Sequence, residues 1–146
     1  MGQTTTRKTN DQFKIMRLGL FILLIALTSC RQINCDDPYK SYEYWAGQKA
    51  PRTLKVINGQ YWQSPHFTLE YILYLQVRPT KSWWTSFIKE NNFVPDTNQW
   101  TPNDDAPKWF NPPKTCLKWK TADDFQGSRL LQDTVTKECY IYLIQL

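Results

Sequence analysis

The stretch His66-Phe67-Thr68-Leu69-Glu70-Tyr71-Ile72-Leu73-Tyr74-Leu75-Gln76-Val77-Arg78 decides the fold class. Phe67, Leu69, Tyr71, Leu73, Leu75 and Val77 alternate with His66, Thr68, Glu70, Ile72, Tyr74, Gln76 and Arg78. Successive side chains of a strand point to opposite faces, so this period of two predicts a long, half-buried strand with one wholly apolar face. Pro79 ends it, since proline has no N–H for a ladder. Thr80 then stands where a helix N-cap belongs. Trp83, Trp84, Phe87, Ile88 and Asn91 recur on neighbouring turns and predict a helix over 81–92, with a bulky stripe suited to lie on a sheet.

Outward from this pair the signals are shorter. Upstream, Leu54-Lys55-Val56-Ile57 and Gln60-Tyr61-Trp62 flank Asn58-Gly59, the dipeptide of a type I′ hairpin turn. Downstream, strands are expected over 116–120, 127–132 and 138–146, with turns over 121–124 and 133–137. Strands outnumber helices and most connections are short. The expectation is therefore an α+β domain over 53–146, a mainly antiparallel sheet of five or six strands with one packed helix. An all-β sandwich or barrel is the alternative, should 83–91 prove to be a strand. Residues 30–52 are polar, with Pro38, Gly47 and Pro51, and their first part reads as a tether. The Tyr39, Tyr42, Tyr44, Trp45 cluster within them is expected to pack back on the body.

The formal charge of +5 does not describe this body. Arg7, Lys8, Lys14 and Arg17 precede Cys30 against one acid, Asp11, which leaves +2 over residues 30–146. Without a basic run, a nucleic-acid partner is excluded. A chain of this size can bury about two-thirds of its surface without a cofactor. Seven tryptophans, eight tyrosines and seven phenylalanines supply the apolar area.

The N-terminus carries an address. Lys14 and Arg17 precede the apolar run Leu18 to Leu27, and the small Thr28 and Ser29 lead to Cys30. The run is shorter than the roughly 20 residues a spanning helix needs, and this order is that of a secretory signal over residues 1–29. Met16 offers a compact natural start. Leu27-Thr28-Ser29-Cys30 resembles the lipobox of bacterial lipoproteins. That resemblance implies cleavage before Cys30, lipidation of its sulfur and membrane attachment through that anchor. Arg31, where an inner-membrane signal would place aspartate, implies the outer membrane in a cell with two. Cys35, Cys116 and Cys139 then remain. Cys116 and Cys139, both in expected strands, are the candidate disulfide pair.

No chemical motif is assembled in the sequence. His66 is the single histidine; it and Glu70 lie two pleats apart, and Gly-x-Ser-x-Gly is absent. The acids Glu70, Asp96, Asp104, Asp105, Asp123 and Asp124 are candidates for paired carboxylates, but turn and loop acids are ordinarily solvated. Asn103-Asp104-Asp105 lacks the Gly and terminal Glu of an EF-hand, and the cysteines are too scattered for a metal site. No catalytic set, metal or cofactor is expected. The Pro-, Asp- and Asn-rich stretch 94–114 holds Trp100, Trp109 and Phe110, followed by Pro112 and Pro113. These rings form either an exposed binding face or, as favoured, a cover over the sheet.

His66-Phe67-Thr68-x-Glu70, the Trp83-Trp84 helix, Trp109-Phe110-x-Pro112 and Gln126-Gly127-Ser128 before a Tyr-Ile-Tyr strand resemble a group of small bacterial lipoproteins without assigned activity. The resemblance implies one domain and no mechanism. The expectation is a lipid-anchored envelope protein with a non-enzymatic, protein-binding body, of the inhibitor, immunity or accessory type. The alternatives are a glycan- or lipid-binding module, or a cell-wall hydrolase using Asp96, Asp104 or Asp105.

Overall fold

The alternating stretch supplies an interior strand of an open antiparallel sheet. The computed structural model describes residues 31–66, 68–124 and 126–146. Among the described residues seven strands, β1 (Ile33–Cys35), β2 (Leu54–Gln63), β3 (Tyr71–Pro79), β4 (Phe93–Pro95), β5 (Leu117–Thr121), β6 (Arg129–Gln132) and β7 (Cys139–Gln145), are joined by two helices, α1 (Pro38–Ala46) and α2 (Lys81–Glu90). The spatial order is β1-β2-β3-β7-β6-β5-β4, and every neighbouring pair is antiparallel. The α+β class and antiparallel sheet are as read from the sequence. The strand count of five or six, the single helix and the barrel alternative are corrected. Short β1 and β4 at the edges, too brief to show a period, account for the extra strands.

Helix α2 begins where its capping residue predicts: Thr80 Oγ1 accepts from Trp83 N–H at 3.3 Å. Helix α1 was hidden in the segment read as a tether. Its signals are local: Asp37 Oδ1 accepts from Lys40 N–H at 2.8 Å, Pro38 opens the first turn, and Gly47 closes the helix at φ 67. The compact unit accordingly starts at Gln32 rather than at residue 53. Strand β3 starts at Tyr71, five residues after the alternation begins at His66. Ser64 N–H donates to Glu70 O at 2.9 Å, closing a loop in which Leu69 has φ 50 and is 58% exposed.

The Asn58-Gly59 turn is also corrected. Strand β2 runs straight through it, with a register shift between Val56 and Asn58. The extra residue reverses the alternation. Leu54 and Val56 point inward before it, and Gly59 and Tyr61 point inward after it. Gln60 and Trp62 are thereby turned to the opposite face. Gly59 is required for space: a Cβ there would lie 2.9 Å from Pro38 Cα and 3.0 Å from Leu75 Cδ2.

Both faces of the sheet are covered. On one, Leu54, Val56, Tyr61, Leu73, Leu75, Val77, Leu130 and Ile141 pack with Tyr42 of α1 and Trp84 of α2. Each fully buried aliphatic side chain there contributes about 1.5–3 kcal/mol. On the other, Tyr74, Leu131, Tyr140 and Tyr142 are covered by the segment 96–116 through Phe110, Cys116, Trp100, Ala106 and Trp109. β3 is therefore buried on both sides, which explains why Ile72 and Tyr74 interrupt its polar face.

Candidate functional site: a polar and aromatic cleft

The residues singled out in the sequence do not converge. Cys30 lies outside the described residues, as do Phe67 and Phe125. Phe110 is buried between Tyr74 and Tyr140, with ring centroids 5.0 and 5.8 Å away. Trp100 lies 5.7 Å from Tyr142, and Trp109 meets Phe110 edge-on at 5.8 Å. The three rings are the cover, and Trp100 and Trp109 remain half-buried. An exposed ledge made of all three is thus corrected.

The Cys116–Cys139 disulfide is not formed; both thiols are free. Cys139 belongs to the helix-covered cluster and Cys116 to the loop-covered one. Cys139 opens β7 and Cys116 stands just before β5, with β6 between those two strands. Two strand steps of about 4.8 Å exceed the roughly 7 Å Cα reach of a disulfide, and the side chains leave opposite faces. Burial pushes the Cys116 thiol up to about 11 and the Cys139 thiol up to about 12.

His66 is exposed on the β2–β3 loop, and Glu70 accepts from Thr68 Oγ1 at 3.1 Å. Asp96 is buried against Arg129, with Oδ2 2.8 Å from Nε and side-chain exposures of 1% and 8%. This is a close ion pair without hydrogen-bond alignment. Arg129 also pairs with Asp124, whose carboxyl is held below the usual range chiefly by that hydrogen bond. Asp96 is thus structural: its backbone N–H, bonded to Lys118 O at 2.9 Å, and its side chain fix the start of the covering segment. Among the described residues no three His, Cys, Asp or Glu side chains gather as metal ligands.

The side chains that do converge were not singled out in the sequence, apart from Asp105. Asn34, Gln60, Trp62, Ile72, Tyr74 and Asp105 line a cleft of about 320 Å³ on the loop-covered face. The register builds its floor in two rows: Asn34 is opposite Trp62, Trp62 opposite Ile72, and Gln60 opposite Tyr74. The bulge in β2 is what brings Gln60 and Trp62 here. Asp105 arrives from the covering segment, in a turn closed by Ala106 N–H donating to Asn103 O at 3.0 Å. That turn is pinned to the sheet, since Asn103 Nδ2 donates to Tyr142 Oη at 2.9 Å.

Tyr74 is the unusual member. It is 4% exposed, and its hydroxyl has no hydrogen-bond partner among the described residues. Burial raises its pKa, with Asp105 and then Tyr142 adding to the effect. Its ring is fully engaged, 5.0 Å from Phe110 and stacked 5.0 Å from Tyr142. Gln60 is held in place by Nε2 donating to Asp36 Oδ1 at 2.8 Å. The signal for this site was the doubly interrupted polar face of β3, but placing Trp62 beside it required the bulge.

Two larger hollows flank Trp45, Phe87 and Asn91 on the helix-covered face, about 450 and 510 Å³ in volume. Two of their polar groups are in use: Asn91 Nδ2 donates to Phe87 O at 2.9 Å, and Gln126 Nε2 to Leu146 O at 3.2 Å. Among the described residues no helix is long and apolar enough to cross a membrane. No protein-family model, curated protein or solved structure matches this chain.

Proposed function

We propose that this chain is a lipid-anchored binding module of a cell envelope, held at Cys30 and taking its ligand in the Trp62–Tyr74 cleft. The observation that carries the proposal is the convergence of Asn34, Gln60, Trp62, Tyr74 and Asp105 on one cleft, with the Tyr74 hydroxyl enclosed and unpartnered among the described residues. Leaving such a group unsatisfied costs about 1–3 kcal/mol, which a ligand regains where its entry opens the hydroxyl to it. Binding is favoured over turnover because Asp96 is committed to Arg129 and Glu70 to Thr68. The anchor rests on the lipobox-like Leu27-Thr28-Ser29-Cys30, which implies an envelope location.

Two measurements test the two halves. Cys30→Ser protein is expected in the soluble fraction; membrane retention equal to the native chain contradicts the anchor. Crosslinking from native envelopes, native chain against Trp62→Ala, tests the cleft. A stoichiometric protein lost in the variant makes the ligand a protein of the inhibitor or accessory kind. A captured glycan or small molecule makes the module a receptor for that class. A capture pattern unchanged by Trp62→Ala contradicts the cleft as the site.

A further inference from the structure

We infer that the cleft binds a neutral sugar ring of a glycan, with the Tyr74 hydroxyl, the Trp62 ring and the Asn34, Gln60 and Asp105 side chains as its contacts. This rests on the cleft being the ligand site, and it adds the chemical class.

The lining sets the class. It contains two carboxamides, one carboxylate, one phenol, one indole and one aliphatic side chain. A sugar ring presents C–H bonds on one face and hydroxyls around its rim, each able to donate and accept. Carboxamides offer both functions, a carboxylate accepts, and a phenol does either. The indole is large, rigid and amphipathic, and it supplies contact area with little loss of conformational freedom. A volume of about 320 Å³ sits at the small end of ligand sites, about 300–1,000 Å³, which suits a ring or two rather than a long lipid.

Charge narrows it further. No lysine, arginine or histidine lines the cleft, and Asp105 does. An anionic ligand (a phosphate, uronate or carboxylate) would meet an unshielded like charge there. A quaternary ammonium needs aromatic faces around it. Tyr74 cannot offer a face, because Tyr142 is stacked on its ring and Phe110 abuts it. Trp62 alone is not a cage. Tyr74 instead holds an enclosed hydroxyl without a partner among the described residues, a group that a sugar hydroxyl matches where the ligand's entry opens it.

The site is also held in shape before binding. Gln60 is fixed by Asp36, and the Asp105 turn is fixed by Asn103 on Tyr142. Polar groups already positioned lose little freedom when a ligand arrives.

The test uses the full chain in phosphatidylglycerol nanodiscs. Neutral cello-, manno- and chito-oligosaccharides, an oligouronate and choline are titrated by calorimetry and tryptophan fluorescence. At least one neutral oligosaccharide is expected to bind, Trp62→Ala to abolish that binding, and Tyr74→Phe to weaken it about five- to tenfold while the near-UV dichroism stays native. Absence of binding by every neutral sugar overturns the inference. So does binding of the uronate or choline alone; if that binding is lost in Trp62→Ala, the cleft still stands as a ligand site. Sugar binding indifferent to both substitutions removes the cleft itself.

Discussion

The two faces of this sheet are covered by different means and floored by different chemistry. Under α1 and α2 the centre is aliphatic, with Leu73, Leu75, Val77 and Ile141 carrying no polar atom that needs a partner. Under residues 96–116 the floor is Tyr74, Tyr140 and Tyr142. Every hydroxyl brought there demands an answer. Tyr142 receives one from Asn103, Tyr140 lies 3.5 Å from Gln76 Nε2, and Tyr74 has none among the described residues. Each face keeps one such buried atom, the Tyr74 hydroxyl under the loop and the Trp84 indole N–H under the helices, but only Tyr74 lines the polar cleft. The contrast can be broken or sharpened by substitution.

The largest effect is expected where the loop cover is fastened. Arg129→Ala leaves Asp96, 1% exposed in its side chain, as a buried charge without its partner. A loss of about 3–5 kcal/mol is expected in denaturant unfolding. A loss under 1 kcal/mol would mean that the cover does not depend on this pair. On the helix-covered face, Leu75→Ala removes a fully buried side chain from a central strand, for an expected loss of about 2–5 kcal/mol. Gly59→Ala forces a methyl group against Pro38 and Leu75, with an expected loss of about 1–3 kcal/mol. Wild-type stability of that variant would show that α1 is not packed on β2 as described.

The pH dependence has two limbs. Asp124 and Asp133 are held low, chiefly by the Arg129 hydrogen bond and by the Val135 backbone N–H respectively. Their contribution is present above about pH 4 and is lost as protonation proceeds below it. Burial holds the Cys116 and Cys139 thiols neutral, at about 11 and about 12. Their contribution is full below about pH 8.5, the unfolded-chain value, and is lost as pH rises towards those folded values. Melting temperature against pH should therefore fall at both ends. At pH 8, thiol labelling should reach half-buried Cys35 before Cys116 or Cys139. Equal rates would contradict their burial.

The smallest stability effect is the sharpest functional one. Tyr74→Phe removes a hydroxyl that has no partner among the described residues, so stability should change by less than about 1 kcal/mol. A loss above 2 kcal/mol would reveal a structural partner and place Tyr74 with the structural hydroxyls of its face.

Legibility in the sequence followed the same division. Tyr71, Leu73, Leu75 and Val77 lie on one face as their alternation predicts, and Thr80 caps α2 as its position predicts. Both are local signals agreeing with the tertiary outcome. Three other local signals misled. Asn58-Gly59 reads as a turn, but Gly59 serves the close approach of Pro38, and only the register reveals the bulge. Leu69 extends the period of two, but the chain bends there into a loop. The tether holds a capped helix whose apolar face, Tyr42 and Trp45, shows little period over nine residues. The cleft was the least legible, because Trp62, Tyr74 and Asp105 come together only through a bulge, a strand pairing and a long covering segment.

The most direct test of this division is the indole N–H spectrum of the full chain, ¹⁵N-labelled at tryptophan, during titration with the neutral oligosaccharide that binds it best. The account predicts that the Trp62 resonance on the loop-covered face shifts and saturates, while Trp45, Trp83 and Trp84 on the helix-covered face stay fixed. Shifts at Trp45 or Trp83 with Trp62 unmoved would contradict it, and would transfer the binding site to the hollows beside Phe87.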